Sequence, residues 1–236
     1  LSEAEVAALY ELEKPETTLT TGLVAYYPFN GNANDESGNG NDGEVNGATL
    51  ATDRNGGSSK AYSFDGENDY IGFKSRLFNV GEGDTLENFT INLWFEINNF
   101  EVQLTELISW WRRKSDPHED CFLGFTNNDK IRFGDGWKGP IDIGEISLGK
   151  WYSLTAIKTK DNAYIYLNNE LVASKGAPLS SGFNELAVIG RQGWLDHEYF
   201  DGRIDEIRLY DRALTTEELT ALYELEKPKT TLETGL

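Results

Sequence analysis

The sequence predicts an all-β protein, an antiparallel sandwich or barrel. Three observations point there. About a dozen strand-like runs of roughly four to nine residues follow one another along the chain. They are separated by Gly, Asn and Asp rather than by helical stretches, as the 24 glycines suggest. Helix signals occur only near the two ends, so a βαβ arrangement is excluded.

The chain opens on a helical pattern. Ser2 is placed to cap it, Val6, Leu9, Tyr10 and Leu12 form an apolar stripe, and Pro15 ends it. The stretch PETTLTTG then reads as an extended linker. GLVAYYPF begins the strands, followed by the Asn- and Gly-rich loop 30–43, SKAYSFDG and DYIGF. FTINLWFEI alternates as a sheet with one buried face would, and Ile91 and Leu93 join Phe64, Trp94, Trp151 and Ile207 as expected core. ELISWWRR, CFLGFT, KIRFG and WYSLTAIKT continue the series. In AYIYLNNELV, the NNE tripeptide marks a tight hairpin. ELAVIGRQG and RIDEIRLYD complete it, with a bulge expected where Ile204 and Ile207 are both apolar. TTEELTALYEL is a helix capped at Thr215 or Thr216, with Glu218 in its first turn and a stripe of Leu219, Leu222, Tyr223 and Leu225. Leu222 and Tyr223 are expected to be buried against the sandwich.

The two ends say the same thing twice. Residues 1–23 align without a gap on residues 214–236, with 16 of 23 positions identical. This suggests near-identical modules in tandem. One module spans 22–227. Residues 1–21 are expected to be the helix and linker of a preceding repeat, and 228–236 the linker to the next. The sequence opens on Leu1 without a Met or a signal segment, which fits a piece of something longer.

Composition narrows the function. A formal net charge of −19 argues against a nucleic-acid surface, which needs clustered cations. No run of about 18 apolar residues is present to insert into a membrane as a helix. One cysteine and two histidines leave no internal disulfide and almost no route to a structural zinc site. The acidity is either screened surface charge or, locally, a set of ligands for calcium.

Several stretches carry a resemblance. YYPFNGNANDESGNGNDGEVNGA, SFDGENDYI, FTINLWF, WYSLTAIKT…AYIYLNNELV and FDGRIDEIRLYDRALTTEEL together resemble the laminin-G-like, concanavalin A-like lectin/glucanase superfamily. The likeness covers residues 22–224 and comes nearest to the pattern of large secreted bacterial proteins. It implies a jelly-roll sandwich of two antiparallel sheets whose first and last strands are neighbours. It also implies roles in carbohydrate binding or adhesion, as spacers, or as accessories to hydrolases, in an extracellular or cell-surface setting.

Two candidate sites follow. In the loop NGNANDESGNGNDG, five Asn, two Asp and one Glu supply oxygens and the glycines let the backbone curl, which suits either an exposed turn or a Ca2+ site. By the resemblance, the acids at Asp35 and Asp205 lie near a cation that staples the chain ends, with Asn32, Asn39 and Asn41 as further candidates and Glu206 left open. Asp65 and Asp201 are expected to cap turns. The second site is aromatic. Trp110 and Trp111 point to opposite faces of a strand, so at most one belongs in the core. Trp111, Arg113 and His118, with Trp137 and Trp194 in Gly-flanked loops, could converge to stack and hydrogen-bond a glycan, or could each plug an end of the sandwich.

Catalysis is not expected. Glycanases of this fold carry an acidic triplet of the form Glu-x-Asp-x-x-Glu on one strand. That spacing occurs here at Glu82, Asp84 and Glu87, but in the Gly-containing stretch GEGDTLE rather than within a strand pattern, and a G-x-S-x-G nucleophile turn is missing. The expected function is therefore a non-catalytic carbohydrate-binding or adhesion module stabilised by calcium, next to further copies of itself. The alternatives are a structural spacer in a repeat array or an accessory domain of a polysaccharide-degrading enzyme.

Overall fold

The computed structural model describes residues 2, 19–74, 76–78, 86–99, 104–110, 121–126, 130–134, 146–176, 187–193 and 197–229. The described strands are β1 (Leu23–Tyr27), β2 (Gly43–Asn46), β3 (Thr49–Ala51), β4 (Ala61–Asp65), β5 (Tyr70–Phe73), β6 (Phe89–Ile97) and β7 (Leu104–Trp110). They continue with β8 (Cys121–Thr126), β9 (Ile131–Gly134), β10 (Trp151–Lys158), β11 (Asn162–Leu167), β12 (Glu170–Gly176), β13 (Ala187–Ile189) and β14 (Asp201–Tyr210). One helix, α1 (Thr216–Glu226), follows.

The strands form two antiparallel sheets. The eight-stranded sheet runs β12-β11-β10-β6-β14-β4-β3, with β1 also on β14, and the six-stranded sheet runs β2-β5-β13-β7-β8-β9. First and last strands are thus neighbours, as the resemblance implied. One side of β14 is shared: Asp201–Ile204 pair with β4, and Ile207–Tyr210 with β1. The expected bulge lies between these halves, with Glu206 at φ 51°. A bulge is what lets one strand serve two partners in turn.

The core lies between the sheets and holds Phe64, Ile91, Leu93 and Ile207, as expected, with Trp110, Phe125 and Phe200. β6 departs from the expectation of one buried face, because all nine of its residues are buried. Phe89, Ile91, Leu93, Phe95 and Ile97 enter the core. The alternate residues face outward and are covered by what packs there. Thr90 bonds the backbone at Arg212 and Leu214, Asn92 bonds Thr155, Trp94 bonds Glu226, and Glu96 pairs with Arg203. Trp94 is therefore buried beneath α1 rather than between the sheets. Trp151 is only half-buried, with the Arg203 guanidinium 5.2 Å from its ring.

β11 and β12 are joined by the expected hairpin, with Asn168 and Asn169 both at positive φ. β2 and β3 were not foreseen. They lie in GEVNGATLA, where apolar and polar residues do not alternate cleanly. Pairing with β5 and β4 makes them strands.

Candidate functional site

The Asn-rich loop has a structural task. β1 bonds β14 along one side, which leaves backbone groups on its other edge to be satisfied. The loop supplies side chains for them. Asp35 Oδ1 accepts from the Tyr26 amide at 2.9 Å, while the Asn39 and Asn41 side-chain amides donate to the Leu23 and Val24 carbonyls at 2.9–3.0 Å. Asp35 also accepts from the Ser37 amide and hydroxyl, both at 2.9 Å, and from the Asn41 amide at 3.0 Å. Exposed Asn32 closes a local turn by accepting from the Asn34 amide at 2.8 Å. Asn39 and Asn41 also line a cleft of about 410 Å³ with Arg76 and Asp211.

These groups surround Asp35 with N–H and O–H donors, whereas calcium takes oxygen lone pairs. Asp205 is held elsewhere. It sits in the β14 bulge, buried and paired with Arg54 from the β3–β4 turn, with Oδ1 unpartnered. As arranged, a cation would have to displace four donors at Asp35 and a guanidinium at Asp205. Among the described residues, no three His, Cys, Asp or Glu side chains gather as a metal cluster. Asp65 caps its turn as expected, accepting from the Glu67 and Asn68 amides. Asp201 instead receives the Asn98 side-chain amide at 3.0 Å.

Around Asp205 lies a buried ionic network. Glu226, near the end of α1, accepts from Arg208 Nε at 2.6 Å and from Trp94 Nε1 at 3.0 Å. Arg54 donates to the Glu226 carbonyl at 2.6 Å and reaches Glu206 at 3.6 Å. Three carboxylates, Asp205, Glu206 and Glu226, thus share two guanidiniums. Burial pushes the Asp205 carboxyl up to about 8, with Glu206 adding to the rise and Arg54 opposing it. Burial likewise raises Glu226 to about 7, against the pull of Arg208.

The remaining concentration of polar chemistry is on the outer face of the six-stranded sheet. In β7 a register shift between Glu106 and Ile108 turns Glu106 away from the core while Leu107 and Ile108 enter it. Gly124 stands opposite on β8, and a Cβ there would meet the Thr105 carbonyl oxygen at 2.1 Å, so only glycine permits this approach. Residues 190–193 and 197–200 fold back onto the same face. The Gly190 amide bonds the Leu107 carbonyl, the Ser109 hydroxyl bonds the Arg191 carbonyl, and the Glu106 amide bonds the Glu198 carbonyl.

Two arginines lie over aromatic rings here, Arg132 over Phe122 at 4.6 Å and Arg191 over Tyr70 at 4.2 Å. Glu198 accepts from Gln192 Nε2 at 3.2 Å and stands 3.4 Å from His197 Nδ1. Two buried oxygens, Glu106 Oε2 and Gln192 Oε1, have no hydrogen-bond donor on them, while the Glu106 carboxyl also meets the Ser109 hydroxyl and the Glu198 carboxyl. Complete burial raises the Glu106 carboxyl well above the usual range, and the neighbouring Glu198 charge raises it further. The floor is buried, whereas Tyr70, Arg191 and Glu198 are part-exposed and His197 exposed at its rim.

Of the expected glycan residues, Trp111, Arg113, His118, Trp137 and Trp194 lie outside the described residues. Their attachment points are described. Trp110 pairs with Cys121 and Phe122 with Gly134, so β7 and β9 leave the sheet at one end. β13 runs to the other end before 190–193 return along Ser109. Trp110 is fully buried in the core, as one member of its Trp pair was expected to be. Glu106, Arg132, Arg191, Gln192 and Glu198 were missed. The one local signal was an acid and an Arg-Gln pair within apolar strand patterns.

The chain belongs to the concanavalin A-like lectin/glucanases superfamily, whose Laminin_G_3 profile matches residues 65–220. No curated protein sequence matches it. Solved structures share its fold at low identity. Domain 4 of AbnA, a GH43 extracellular arabinanase from Geobacillus stearothermophilus, in complex with arabinotriose, is 20% identical with a TM-score of 0.61, over 85% of this chain and 98% of that one. The botulinum neurotoxin serotype D binding domain is 18% identical with a TM-score of 0.65, over 87% of this chain and 51% of that one. A Trypanosoma rangeli sialidase in complex with 2,3-difluorosialic acid is 17% identical with a TM-score of 0.63, over 86% of this chain and 33% of that one. This chain therefore spans about half of the toxin domain and a third of the sialidase. Among the described residues, no helix is long and apolar enough to cross a membrane.

Proposed function

We propose that this is a non-catalytic glycan-binding module, and that the outer face of the six-stranded sheet binds the sugar. The observation behind it is the pair of orphaned acceptors, Glu106 Oε2 and Gln192 Oε1, beside two Arg-capped aromatic rings. Sugar hydroxyls are the donors such acceptors lack, and a protonated Glu106 can itself donate. Aromatic rings give a sugar its apolar contact. The arabinotriose held by the AbnA domain, which this fold covers along 98% of its length, supports a glycan as the ligand class.

Binding without hydrolysis fits the carboxyls. A glycosidase holds its pair about 5–9 Å apart with the bond to be cleaved between them. Glu198 instead lies against Glu106 and is engaged by Gln192. The setting we infer is extracellular or at a cell surface, within a chain of such modules. The Asn-rich loop, in this proposal, holds itself shut without calcium.

The test is a glycan panel probed with the wild-type chain and with Gln192→Leu, followed by a reducing-sugar assay on every glycan bound. One glycan class should bind, lose at least tenfold in affinity with the variant, and survive uncleaved. A blank panel supports a spacer, and released sugar supports an enzyme.

A further inference from the structure

α1 is held on the eight-stranded sheet by a small set of contacts. Leu219 and Leu222 are buried in a cluster with Ile157, Tyr210 and Leu214. Tyr223 stacks on Trp94 with centroids 5.8 Å apart and planes at 13°. Glu226 bonds both Trp94 and Arg208. At the other end Thr215 and Glu218 form a capping box. The seat is thus an aromatic ring flanked by two guanidiniums, since Arg54 also lies 5.0 Å from the Trp94 ring.

Residues 1–15 repeat this set. At an offset of 213, Leu1 matches Leu214, Ser2 and Glu5 match the box residues Thr215 and Glu218, and Val6 and Leu9 match Leu219 and Leu222. Tyr10 matches Tyr223, and Glu13 matches Glu226. The differences fall elsewhere. Glu3, Ala4 and Ala7 stand where α1 has exposed Thr216, Glu217 and Thr220. The residues that touch the seat are kept or conservatively replaced, and the non-conservative changes within the helix fall on exposed positions, although exposed Glu224, Leu225 and Lys227 are also kept as Glu11, Leu12 and Lys14. The sequence thus holds two segments with one docking code, and among the described residues one seat of this composition, which α1 fills.

We propose that residues 2–14 are a second docking helix, and that its partner is the Trp94–Arg54–Arg208 seat of another domain of this same kind. An acidic, amphipathic helix ending in Tyr-x-x-Glu is what that seat recognises. Neighbouring modules are then joined at a linker that starts from a docked helix, and a free seat on one chain can capture the free segment of another.

The test uses the full chain with both helices disabled, Tyr10→Ala, Glu13→Ala, Tyr223→Ala and Glu226→Ala, which leaves its seat vacant. A fluorescent peptide of residues 1–15 should bind saturably, within about threefold of a peptide of residues 214–228. The residue 1–15 peptide carrying Tyr10→Ala and Glu13→Ala should bind at least tenfold more weakly. Binding by the 214–228 peptide but not by 1–15 overturns the proposal. If the quadruple variant does not fold, the wild-type chain decides. Excess 1–15 peptide should exchange with α1 and speed hydrogen exchange across Leu219–Glu226 several-fold, and no change with that peptide overturns the proposal.

Discussion

Asp205, which the resemblance places near a cation, is paired with Arg54 in a buried network with more carboxylates than guanidiniums. Such a network retains a proton near neutrality. Asp205 and Glu226, raised to about 8 and about 7, hold protons in the folded chain that they release in the unfolded one. Between those values and the ordinary carboxylate range the folded state binds more protons, so stability falls as pH rises. Melting scans should show these two groups pulling Tm down from about pH 4 to about pH 8, with no further fall from them above that. Glu206→Gln, which removes the least buried of the three charges, should flatten that drop; an identical slope in the variant would contradict the account. None of this was legible locally, because Arg54 lies 151 residues from Asp205 in sequence. At the same scale, Glu106 escaped notice because its neighbours Gln192 and Glu198 come from a distant loop, and only the bulge in β7 turns it outward.

Elements were read more successfully than residues. α1 was foreseen with its cap, and Leu222 is buried as expected. Leu225, expected in the apolar stripe, is 61% exposed, and the buried position one residue on belongs to Glu226. Hydrophobic periodicity has no means of marking a buried ionic anchor. Thr215→Ala removes one half of the capping box and should cost about 1 kcal/mol, measured by denaturant unfolding. The Asn-rich loop was recognised as a feature, but both expected uses left out its role at the edge of β1. Asp35→Ala leaves four donors without their acceptor, and each hydrogen bond to a charged group contributes on the order of 1.5 kcal/mol or more, partly recovered by water because the loop is half-exposed. A loss of about 2 kcal/mol is expected in the same unfolding experiment. A chelator should leave the wild-type Tm unchanged. A drop reversed by added calcium would restore the ion to this loop.

At the scale of the molecule, the two-sheet architecture was legible because it rests on many independent local signals: short runs, turn residues and no interior helices. What was not legible is how each outer face is finished. The eight-stranded sheet is capped by α1 and its ion network, so strand alternation understated the burial of β6. The six-stranded sheet instead gathers Glu106, Arg132, Arg191 and Gln192 around two aromatic rings, a face without a packed helix among the described residues. The proposed division of labour is that one face joins modules and the other meets a glycan. It is tested by hydrogen-exchange footprinting of the wild-type chain with and without a glycan identified on the panel. Protection confined to β7, β8 and residues 187–198, with α1 unaffected, is the expected result. Protection on the eight-stranded sheet or at the Asn39–Asn41 cleft, with none around Glu106 and Gln192, would contradict it.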